Sequence, residues 1–505
     1  MSQSLTEHPL TRAEMSGYSE TSSHADVLTF IEALRKIGGS SLYVTDFGKT
    51  PEGRVLPLLV LSNRGYFTPQ EALRADLPIV LILCGIHAGE VEGKESALML
   101  VRDILRGRHG ELLDRITLLV APLFNADGND RIDPHNRRLD IQHLRGQIGP
   151  AGGVGTRENA AGINLNRDYM RQDSAEMRAL QHRVCQPWNP HLVIDSHTTN
   201  GSIHRFAMTF DIPHVVDSTR REPIEYMRSR MLPAVQSAVK ARDGLDSSWY
   251  GNFQRDEGGH GTGWITYTHH PRFGGNYRGL TNRLDLLLET YAYLPFDERV
   301  RASYGFLRES LIYVAAHADE VVKLLERCRE PPPRIAVGYR LEAFEDRKLT
   351  VLTREPYELT GEPIEVNVPH IAKFVGEKFI KRPLAYAVPA NIARHLAGHG
   401  LTVEEPSEPL YLNVEIAVVR RLVAEPGREI LEADMSVHLE VDLSMQKRLL
   451  PDHWWLVYTA QQRGAIAVYM CEARSDDGLL ACGLIEPPKS GDEFPAWRVH
   501  GVGTI

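Results

Sequence analysis

The segment from residue 79 to residue 90 constrains the fold more strongly than any other stretch of the sequence. Six apolar residues, Ile79-Val80-Leu81-Ile82-Leu83-Cys84, run into Gly85-Ile86-His87-Ala88-Gly89-Glu90. A short run that is rich in branched apolar residues and is followed by glycine is typical of a strand buried on both faces of a sheet. Because sites in open α/β sheets form at the carboxyl ends of strands, His87 and Glu90 are predicted to lie at a functional edge.

A second apolar segment repeats this pattern. Leu192-Val193-Ile194 runs into Asp195-Ser196-His197, which is again a strand that ends in histidine. Imidazole nitrogen and carboxylate oxygen both bind zinc at about 2.0–2.2 Å. His87, Glu90 and His197 therefore predict a zinc site with three protein ligands and an open fourth position. That is the catalytic type of zinc site, because structural sites usually recruit cysteine.

The segments around these strands predict an α/β sheet. Apolar residues at helical spacing predict helices over residues 27–37, 93–108, 174–188, 220–242 and 296–327, and apolar runs predict strands over 41–47, 55–61, 116–122 and 284–289. The strand–helix–strand order of residues 79–122 predicts a parallel pair with a right-handed crossover. Residues 125–170 and 251–279 lack periodicity and are predicted to be loops, which at such lengths are functional or disordered.

The chain is predicted to have three parts. Residues 1–20 are polar and form a flexible N-terminal segment, and residues 21–330 form the sheet domain that carries the ligands. Pro331-Pro332-Pro333 marks the boundary, because proline cannot continue a helix. Beyond it, apolar and polar residues alternate, as from Met435 to Leu443, so residues 335–505 are predicted to form a smaller, mostly antiparallel β domain.

Composition disfavours several classes of function. The 505 residues carry 57 Lys and Arg against 66 Asp and Glu, a net charge of −9, so nucleic acid is not a predicted partner. The polar start lacks the apolar core of a secretory signal, and the longest apolar runs are about half a membrane span. The five cysteines are widely spread and form no CxxC pair, so disulfides are not predicted. We therefore expect a cytoplasmic protein without a membrane partner.

The order of the motifs resembles the carboxypeptidase A-like zinc metallocarboxypeptidase family. The motifs are His87-x-x-Glu90, Asn125-Ala126-Asp127-Gly128, Gly162-Ile163-Asn164-Leu165-Asn166-Arg167, the strand-end His197 and the strand-end Glu289, within residues 21–327. The C-terminal residues resemble, more weakly, the β extension of a poorly characterised bacterial branch in which a Ser-Asp-Asp-Gly segment, here residues 475–478, recurs. The resemblance implies a three-layer α/β/α sheet domain that is followed by the β domain.

This resemblance implies roles for the ligands and for the late glutamate. His87, Glu90 and His197 would hold one zinc ion, and Glu289 would be the general base that takes a proton from the water that zinc activates. Burial among leucines would raise the pKa of Glu289, whereas zinc would lower it.

The resemblance also implies residues that bind the substrate. Arg167, with Asn166 beside it, would bind the terminal carboxylate, for which the planar guanidinium is suited. Asp168, which replaces the family's usual asparagine, is expected to orient Arg167 or Asn166. Arg272, Arg278 and Arg283 lie in the segment that leads to the specificity pocket and hint at acidic substrates.

Two further family residues have several candidates in this sequence. The arginine that polarises the scissile carbonyl is expected in the long loop, where Arg131, Arg137 and Arg138 are available, and Arg137 is our choice. The tyrosine that closes over the substrate is expected before Glu289, where both Tyr267 and Tyr277 qualify. The remaining histidines, such as His204, His260, His269 and His270, are expected to be surface or loop residues.

The sequence therefore predicts a zinc-dependent hydrolase that removes the C-terminal residue from peptides. One alternative is an N-acyl amino-acid deacylase of the aspartoacylase or succinylglutamate desuccinylase type, which shares the fold and the zinc ligands. The other is a non-catalytic zinc-site protein that binds a carboxylated ligand. The expected partner is a peptide or an acyl amino acid with a free carboxylate, and the sequence makes no prediction of the oligomeric state.

Overall fold

A mixed eight-stranded sheet forms the centre of the computed structural model, which describes residues 8–255, 261–426 and 435–502. The first ten strands along the chain are β1 (Leu42–Lys49), β2 (Val55–Leu61), β3 (Ile79–Cys84), β4 (Thr117–Ala121), β5 (Leu192–Thr199), β6 (Met208–Asp211), β7 (Ser247–Trp249), β8 (Asn252–Arg255), β9 (Gly261–Ile265) and β10 (Leu284–Tyr291). All of them except β8 and β9 belong to the large sheet. The order across the large sheet is β1-β2-β4-β3-β5-β10-β6-β7. The predicted α/β fold class is thereby confirmed.

Four central strands run in parallel and bring their carboxyl ends to one edge of the sheet. β3 pairs with β4 and with β5, and β5 pairs with β10, in each case in parallel. The predicted parallel pair of β3 and β4 is confirmed, and β1 and β2 pair as an antiparallel hairpin. Every residue of β3 and β4 is buried, as expected of parallel strands that are covered on both faces.

Helices cover both faces of the large sheet. They are α1 (Arg12–Met15), α2 (His24–Gly38), α3 (Pro69–Arg74), α4 (Glu92–Leu105), α5 (Ala126–Asn129), α6 (Ala175–Ala179), α7 (Gln186–Trp188), α8 (Arg221–Tyr226), α9 (Leu232–Asp243), α10 (Gly274–Gly279), α11 (Phe296–Ala316) and α12 (Ala318–Arg327), with 3-10 turns at Gly39–Ser41, Gly110–Asp114 and Leu165–Arg167 and π turns at Leu180–Cys185 and Met227–Met231. Gly93 of α4 packs against Ser196 of β5, whereas Cys185 lines a small cavity with Val193 of the same strand. Because Val193 and Ser196 are three positions apart, they point to opposite faces, so the structure has three layers.

Two of the predicted boundaries are wrong. Residues 251–279 are not one loop, because they contain β8, β9 and α10, although residues 256–260, with His260, lie outside the described residues. A Cβ on Gly261 would lie 2.6 Å from the ring of Phe253, so this glycine permits β8 and β9 to pack closely. The helix predicted over residues 296–327 is interrupted at His317, whose ψ of 23° is not helical.

The C-terminal residues contribute to three smaller sheets. Their strands are β11 (Arg334–Ala336), β12 (Tyr339–Glu355), β13 (Glu362–Gly376), β14 (Phe379–Lys381), β15 (Ala385–Pro389), β16 (Val403–Glu404), β17 (Tyr411–Pro426), β18 (Met435–Leu449), β19 (Trp454–Tyr458) and β20 (Trp497–Val502), with helices α13 (Ala390–Gly398) and α14 (Gly464–Cys471). The sheets have the orders β11-β14, β12-β13-β9-β8 and β16-β19-β15-β20-β17-β18. This part is mostly β, as predicted, but α14 was not predicted.

The two parts of the chain share a sheet and a core. β9 pairs in parallel with β13 through Trp264 and His370, on opposite sides of the predicted boundary. All residues of α14 are buried, and they belong to the same apolar core as Val80 and Leu286 of the large sheet. The domain boundary at residues 331–334 stays a prediction, and the core extends across it.

The N-terminal segment is attached to the sheet domain through α1. Ala13 is fully buried in a cluster with Val91 and Phe296, and Arg102 donates to Glu14 at 2.8 Å. The first seven residues lie outside the described part of the chain. Within the described residues, no helix is both long enough and apolar enough to cross a bilayer. The cytoplasmic location stays a prediction.

The shared core predicts a single unfolding transition. Because the β9–β13 pairing and α14 join residues 21–330 to residues 335–505, heating should unfold both parts together. Differential scanning calorimetry should record one peak whose calorimetric and van't Hoff enthalpies agree. Two separate peaks would show that the parts unfold independently.

Candidate active site

Three predicted metal ligands meet at the carboxyl edge of the large sheet. His87 and Glu90 lie in the turn after β3, and His197 lies on β5, 107 positions after Glu90. The two oxygens of Glu90 contact His87 Nδ1 at 3.1 Å and His197 Nδ1 at 2.9 Å. Ligand atoms of all three residues lie within 4.8 Å of one another, and the three side chains are buried.

The second nitrogen of each imidazole has a partner that orients the ring. His87 Nε2 lies 3.1 Å from Asn164 Oδ1. His197 Nε2 lies 3.2 Å from Asp195 Oδ1, which is close enough for an ion pair although the two groups are not aligned as a hydrogen bond. Both oxygens are acceptors, so they favour a proton on each Nε2 and leave each Nδ1 facing Glu90. Metal-binding histidines are commonly oriented in this way.

The electrostatic environment favours an ionised Glu90 between a neutral and a charged imidazole. Burial and the charge of Arg157 lower the pKa of His87 to about 3. Although burial opposes ionisation, Arg137 and the hydrogen bond from His197 hold the pKa of Glu90 well below its usual value. Burial also opposes the charge on His197, but Asp195 and Glu90 raise its pKa well above the usual value. A metal ion would therefore displace a proton from His197 on binding.

Glu289 lies on β10 beside His197. The two residues are register partners in the parallel pair of β5 and β10, so their side chains project to the same face. Glu289 is partly buried, and burial raises its pKa to about 8, with His197 opposing the shift and Glu90 adding to it. The structure thus brings the predicted base next to a predicted ligand.

Two arginines of the long loop reach the cluster. Arg137, the predicted carbonyl-polarising residue, donates to Glu90 Oε1 at 2.9 Å, to Gln147 Oε1 at 3.0 Å and to the Thr198 carbonyl at 3.4 Å. Arg157 lies 3.2 Å from His87 Nδ1 and 3.9 Å from Glu90 Oε1. The side chain of Arg157 is 32% exposed, compared with 12% for Arg137. Arg137 therefore holds Glu90, and Arg157 is the more accessible to a substrate.

The predicted carboxylate-binding residues lie on the 3-10 turn Leu165–Arg167, next to the loop that precedes α10. The guanidinium carbon of Arg167 lies 3.6 Å from the centre of the Phe273 ring. Asn166 Oδ1 accepts a hydrogen bond from Gly274 N at 3.0 Å. Asn164, which contacts His87, stands two positions before Asn166, so this turn also borders the metal-ligand cluster.

The two tyrosine candidates lie in different environments. Tyr277 on α10 is 1% exposed, and its hydroxyl contacts His399 Nδ1 at 2.8 Å. Its hydroxyl is therefore engaged in the core, and the structure does not bring Tyr277 to the cluster. Tyr267 is partly exposed, and burial, with Asp211, Asp285 and Glu289, raises its pKa well above the usual value. Tyr267 is the more exposed of the two candidates, and its role stays a prediction.

Several charged residues have other partners than we expected. Asp168 accepts from Ser174 N at 2.9 Å and from Ser174 Oγ at 2.6 Å, so it supports the start of α6 instead of orienting Arg167. Arg278 pairs with Asp195 and Asp285, and Arg272 pairs with Asp477. The hint of acidic substrates is wrong for these two arginines, because their charges are matched inside the protein. His204 and His269, expected at the surface or in loops, are 4% and 7% exposed.

Sequence reasoning missed Asn164, Arg157 and Asp195. Asp195 stands two positions before His197, so it lies on the same face of the strand and was open to prediction. Asn164 belongs to the same motif as Asn166. Arg157 was not open to prediction, because its loop has no periodicity that selects one arginine among several.

Comparison with known proteins finds a family that matches the first part of the sheet domain. A sequence model described as zinc carboxypeptidase matches residues 27–191, which include His87, Glu90, Asn166 and Arg167. Residues 27–191 thus resemble the zinc carboxypeptidase family. The predicted resemblance and the predicted enzyme class, a metallopeptidase, are confirmed. His197 and Glu289 lie beyond the matched residues.

Relatives named carboxypeptidase 2 align with most of the chain. Carboxypeptidase 2 of Trichophyton tonsurans is 22% identical over 500 residues, which are 92% of this chain and 85% of that protein. Carboxypeptidase 2 of Trichophyton equinum is 22% identical over 480 residues, which are 89% of this chain and 81% of that protein.

Solved structures of metallo-carboxypeptidases align with a smaller share of the chain. That from Burkholderia cenocepacia has a TM-score of 0.42 and 18% identity, over 59% of this chain and 70% of that one. That from Pseudomonas aeruginosa, in complex with (2-guanidinoethylmercapto)succinic acid, has a TM-score of 0.41 and 18% identity, over 60% of this chain and 70% of that one.

The residues at the sheet edge fit the metal that the family name implies. Two imidazole nitrogens and a carboxylate converge, which is a donor set that zinc accepts at about 2.0–2.2 Å. Asn164 and Asp195 support the two imidazoles from behind, as outer partners of metal ligands do. His87, Glu90 and His197 are therefore the residues that would hold a zinc ion in this chain.

Proposed function

We propose that this chain is a zinc-dependent hydrolase that removes the C-terminal residue from peptides. The observation that carries the proposal is the convergence of His87, Glu90 and His197 beside Glu289 at one sheet edge. Asn164, which stands three positions before Arg167, contacts His87. This contact supports a carboxylate-binding group next to the same cluster.

Glu289 is the proposed general base. Zinc, when bound, supplies Lewis acidity, which lowers the pKa of water from 15.7 to about 7 and polarises a carbonyl group. Glu289, beside His197, accepts a proton from the attacking water and later delivers it to the leaving amine. The water oxygen bonds to the carbonyl carbon and the C–N bond breaks, which yields a shortened peptide and a free amino acid.

Two arginines are proposed to contact different parts of the substrate. Arg167, held against Phe273, and Asn166 bind the terminal carboxylate, which a planar guanidinium accepts through two parallel hydrogen bonds. Arg157, the more exposed arginine at the cluster, donates to the oxygen of the scissile carbonyl as negative charge develops there. Tyr267 is proposed to contact the substrate above these groups.

Zinc content tests the ligand set. The purified protein should contain about one zinc per chain, and His87→Ala or His197→Ala should lose it, because two remaining ligands bind the ion too weakly. Elemental analysis after dialysis measures the result. His204→Ala removes a buried imidazole away from the cluster and should retain zinc. Full retention in both ligand variants would contradict the assignment.

The role of Glu289 is tested by Glu289→Gln. This variant should keep zinc and fold but lose at least about 10²-fold in kcat, which is the contribution that general-base catalysis typically makes. Glu309→Gln, at a buried glutamate on α11, is the matched control and should keep its turnover. Unchanged kcat in Glu289→Gln would move the base elsewhere, with Glu92 and Glu95 as the next residues to test.

The two arginines near the cluster should give different defects. Arg157→Ala should retain zinc and lower kcat by about 10²–10³-fold, because it removes a donor to the developing oxyanion. Arg137→Ala should instead weaken zinc binding, because it removes the cation that contacts Glu90 Oε1 at 2.9 Å. A chelator titration and steady-state kinetics on both variants measure this difference. The reverse pattern would restore Arg137 as the polarising residue.

The substrate carboxylate tests the exopeptidase assignment. A peptide with a free C-terminus should be cleaved at least about tenfold faster than its C-terminal amide, because the amide lacks the charge that strengthens hydrogen bonds from Arg167, and a hydrogen bond to a charged group contributes about 1.5–3 kcal/mol. Arg167→Ala should abolish this preference, and Arg167→Lys should restore little of it. Arg171→Ala, at an arginine paired with Asp173, should retain it.

The same assay separates the alternatives to peptide cleavage. Faster turnover of N-acyl amino acids than of peptides would favour the deacylase. Equal rates on acid and amide would contradict the carboxylate-binding role of Arg167. Binding of carboxylated ligands without any turnover would favour the non-catalytic protein.

A further inference from the structure

The end of the loop between β9 and α10 contacts both proposed carboxylate-binding residues, Arg167 and Asn166. Phe273 packs under the guanidinium of Arg167 at 3.6 Å, and Gly274 N donates to Asn166 Oδ1 at 3.0 Å. A Cβ on Gly274 would lie 2.9 Å from the ring of Tyr169, so only glycine permits this close approach. The position of residues 273 and 274 therefore fixes the position of the carboxylate-binding groups.

The C-terminal part of the chain holds the same loop. Asp477 accepts a hydrogen bond from Arg272 N at 2.7 Å with one oxygen and from Arg272 Nε at 2.7 Å with the other. The preceding residue, Asp476, contacts His269 Nε2 at 2.8 Å. These contacts bridge 205 and 207 positions of sequence, and Asp477 is fully buried. The carboxylate of Asp477 thus binds both the main chain and the side chain of Arg272, which directly precedes Phe273.

The segment of residues 475–478 is itself firmly supported. Asp476 accepts from the hydroxyl of Tyr469, on α14, at 2.6 Å, and its N–H donates to the Val337 carbonyl at 3.1 Å. A Cβ on Gly478 would lie 2.8 Å from the Met470 carbonyl, so glycine lets the segment fold closely over α14. Because α14 belongs to the main core, the segment is a rigid support.

We propose that Asp477, assisted by Asp476, is a positioning residue for substrate binding, which holds the β9–α10 loop so that Phe273 and Gly274 keep Arg167 and Asn166 directed at the terminal carboxylate. This inference rests on the proposed function, and it gives the C-terminal part of the chain a role in the site. Among the described residues, Asp477 contacts no proposed zinc ligand, so it should affect substrate binding without affecting metal content.

A second metal site is the competing interpretation of this region. Donor atoms of His269, His270 and Asp476 lie within 4.8 Å of one another. Each already has a protein partner: His269 bonds Asp476, His270 Nδ1 lies 2.7 Å from Thr268 Oγ1, and Asp476 accepts from Tyr469. The contacts therefore favour a hydrogen-bonded support, and the zinc count distinguishes the two.

The test compares variants on either side of the pair with a matched control. Asp477→Asn keeps the size of the side chain but removes its charge and one acceptor, and Arg272→Gln removes the ion pair while keeping the hydrogen bond from Arg272 N. Glu472→Gln breaks a buried contact to Arg498, at 2.8 Å, beside the same helix but away from the loop. The probes are an N-blocked tripeptide with a free C-terminal carboxylate and the same peptide as its amide.

Asp477→Asn and Arg272→Gln should each raise KM for the acid peptide at least about tenfold while kcat changes less than about threefold. Their preference for acid over amide should fall by a similar factor, and zinc should remain at about one per chain. Glu472→Gln should lower the melting temperature without changing KM or the preference. A purely structural role for Asp477 would lower stability in the same way as Glu472→Gln and leave both quantities unchanged, which would overturn the inference.

Other outcomes separate this inference from the proposed function. An unmodified enzyme that shows no preference for acid over amide would overturn the carboxylate-binding role of Arg167, and this inference with it. A preference in the unmodified enzyme that survives in Asp477→Asn would overturn only this inference. A second zinc ion that is lost in His269→Ala would make the cluster a metal site and overturn the role given to Asp476.

Discussion

The buried carboxylate of Glu90 is the group on which the rest of the site depends. A carboxylate that is removed from water is tolerated only when its oxygens are paired. Here they contact His87 Nδ1, His197 Nδ1, Arg137 Nη1 and Thr198 N. These partners come from the turn after β3, from the end of β5 and from the long loop, so one carboxylate holds three distant segments together. The contacts that satisfy Glu90 also direct both imidazoles at one point, and stability and site geometry therefore have a common origin.

A buried arginine, Arg278, organises the side chains on the sheet face below the two imidazoles. Arg278 donates to Asp195 at 2.8 Å and to Tyr169 at 2.6 Å, and it also pairs with Asp285 on the neighbouring strand. Burial alone would favour the neutral form of Asp195, but His197 and Arg278 lower its pKa to about 2. An ionised Asp195 then remains behind His197. The arginine that seemed suited to an acidic substrate instead sustains the carboxylate that orients a proposed ligand.

The C-terminal residues are built into the fold of the sheet domain. β13 extends the small sheet that contains β8 and β9, α14 lies in the main core, and Asp477 grips the loop before Phe273. A loop with little regular structure of its own needs support from outside if it is to hold side chains in one geometry. Here that support comes from a segment that lies 205 positions further along the chain.

The sequence by itself determined six of the eight strands of the large sheet, all but β6 and β7, and the residues that stand at its edge. The apolar runs before His87, His197 and Glu289 predicted buried strands, because an uninterrupted apolar run must be covered on both faces, and their polar ends follow directly. Tertiary structure alone decided which loop side chains complete the site. It left Arg157 more exposed than Arg137, and it placed Tyr277 against His399 in the core while Tyr267 stayed partly exposed. The spacing of apolar residues indicates which side chains face a core, but a long loop has no such spacing. Its side chains are positioned by contacts with segments that are far away in sequence.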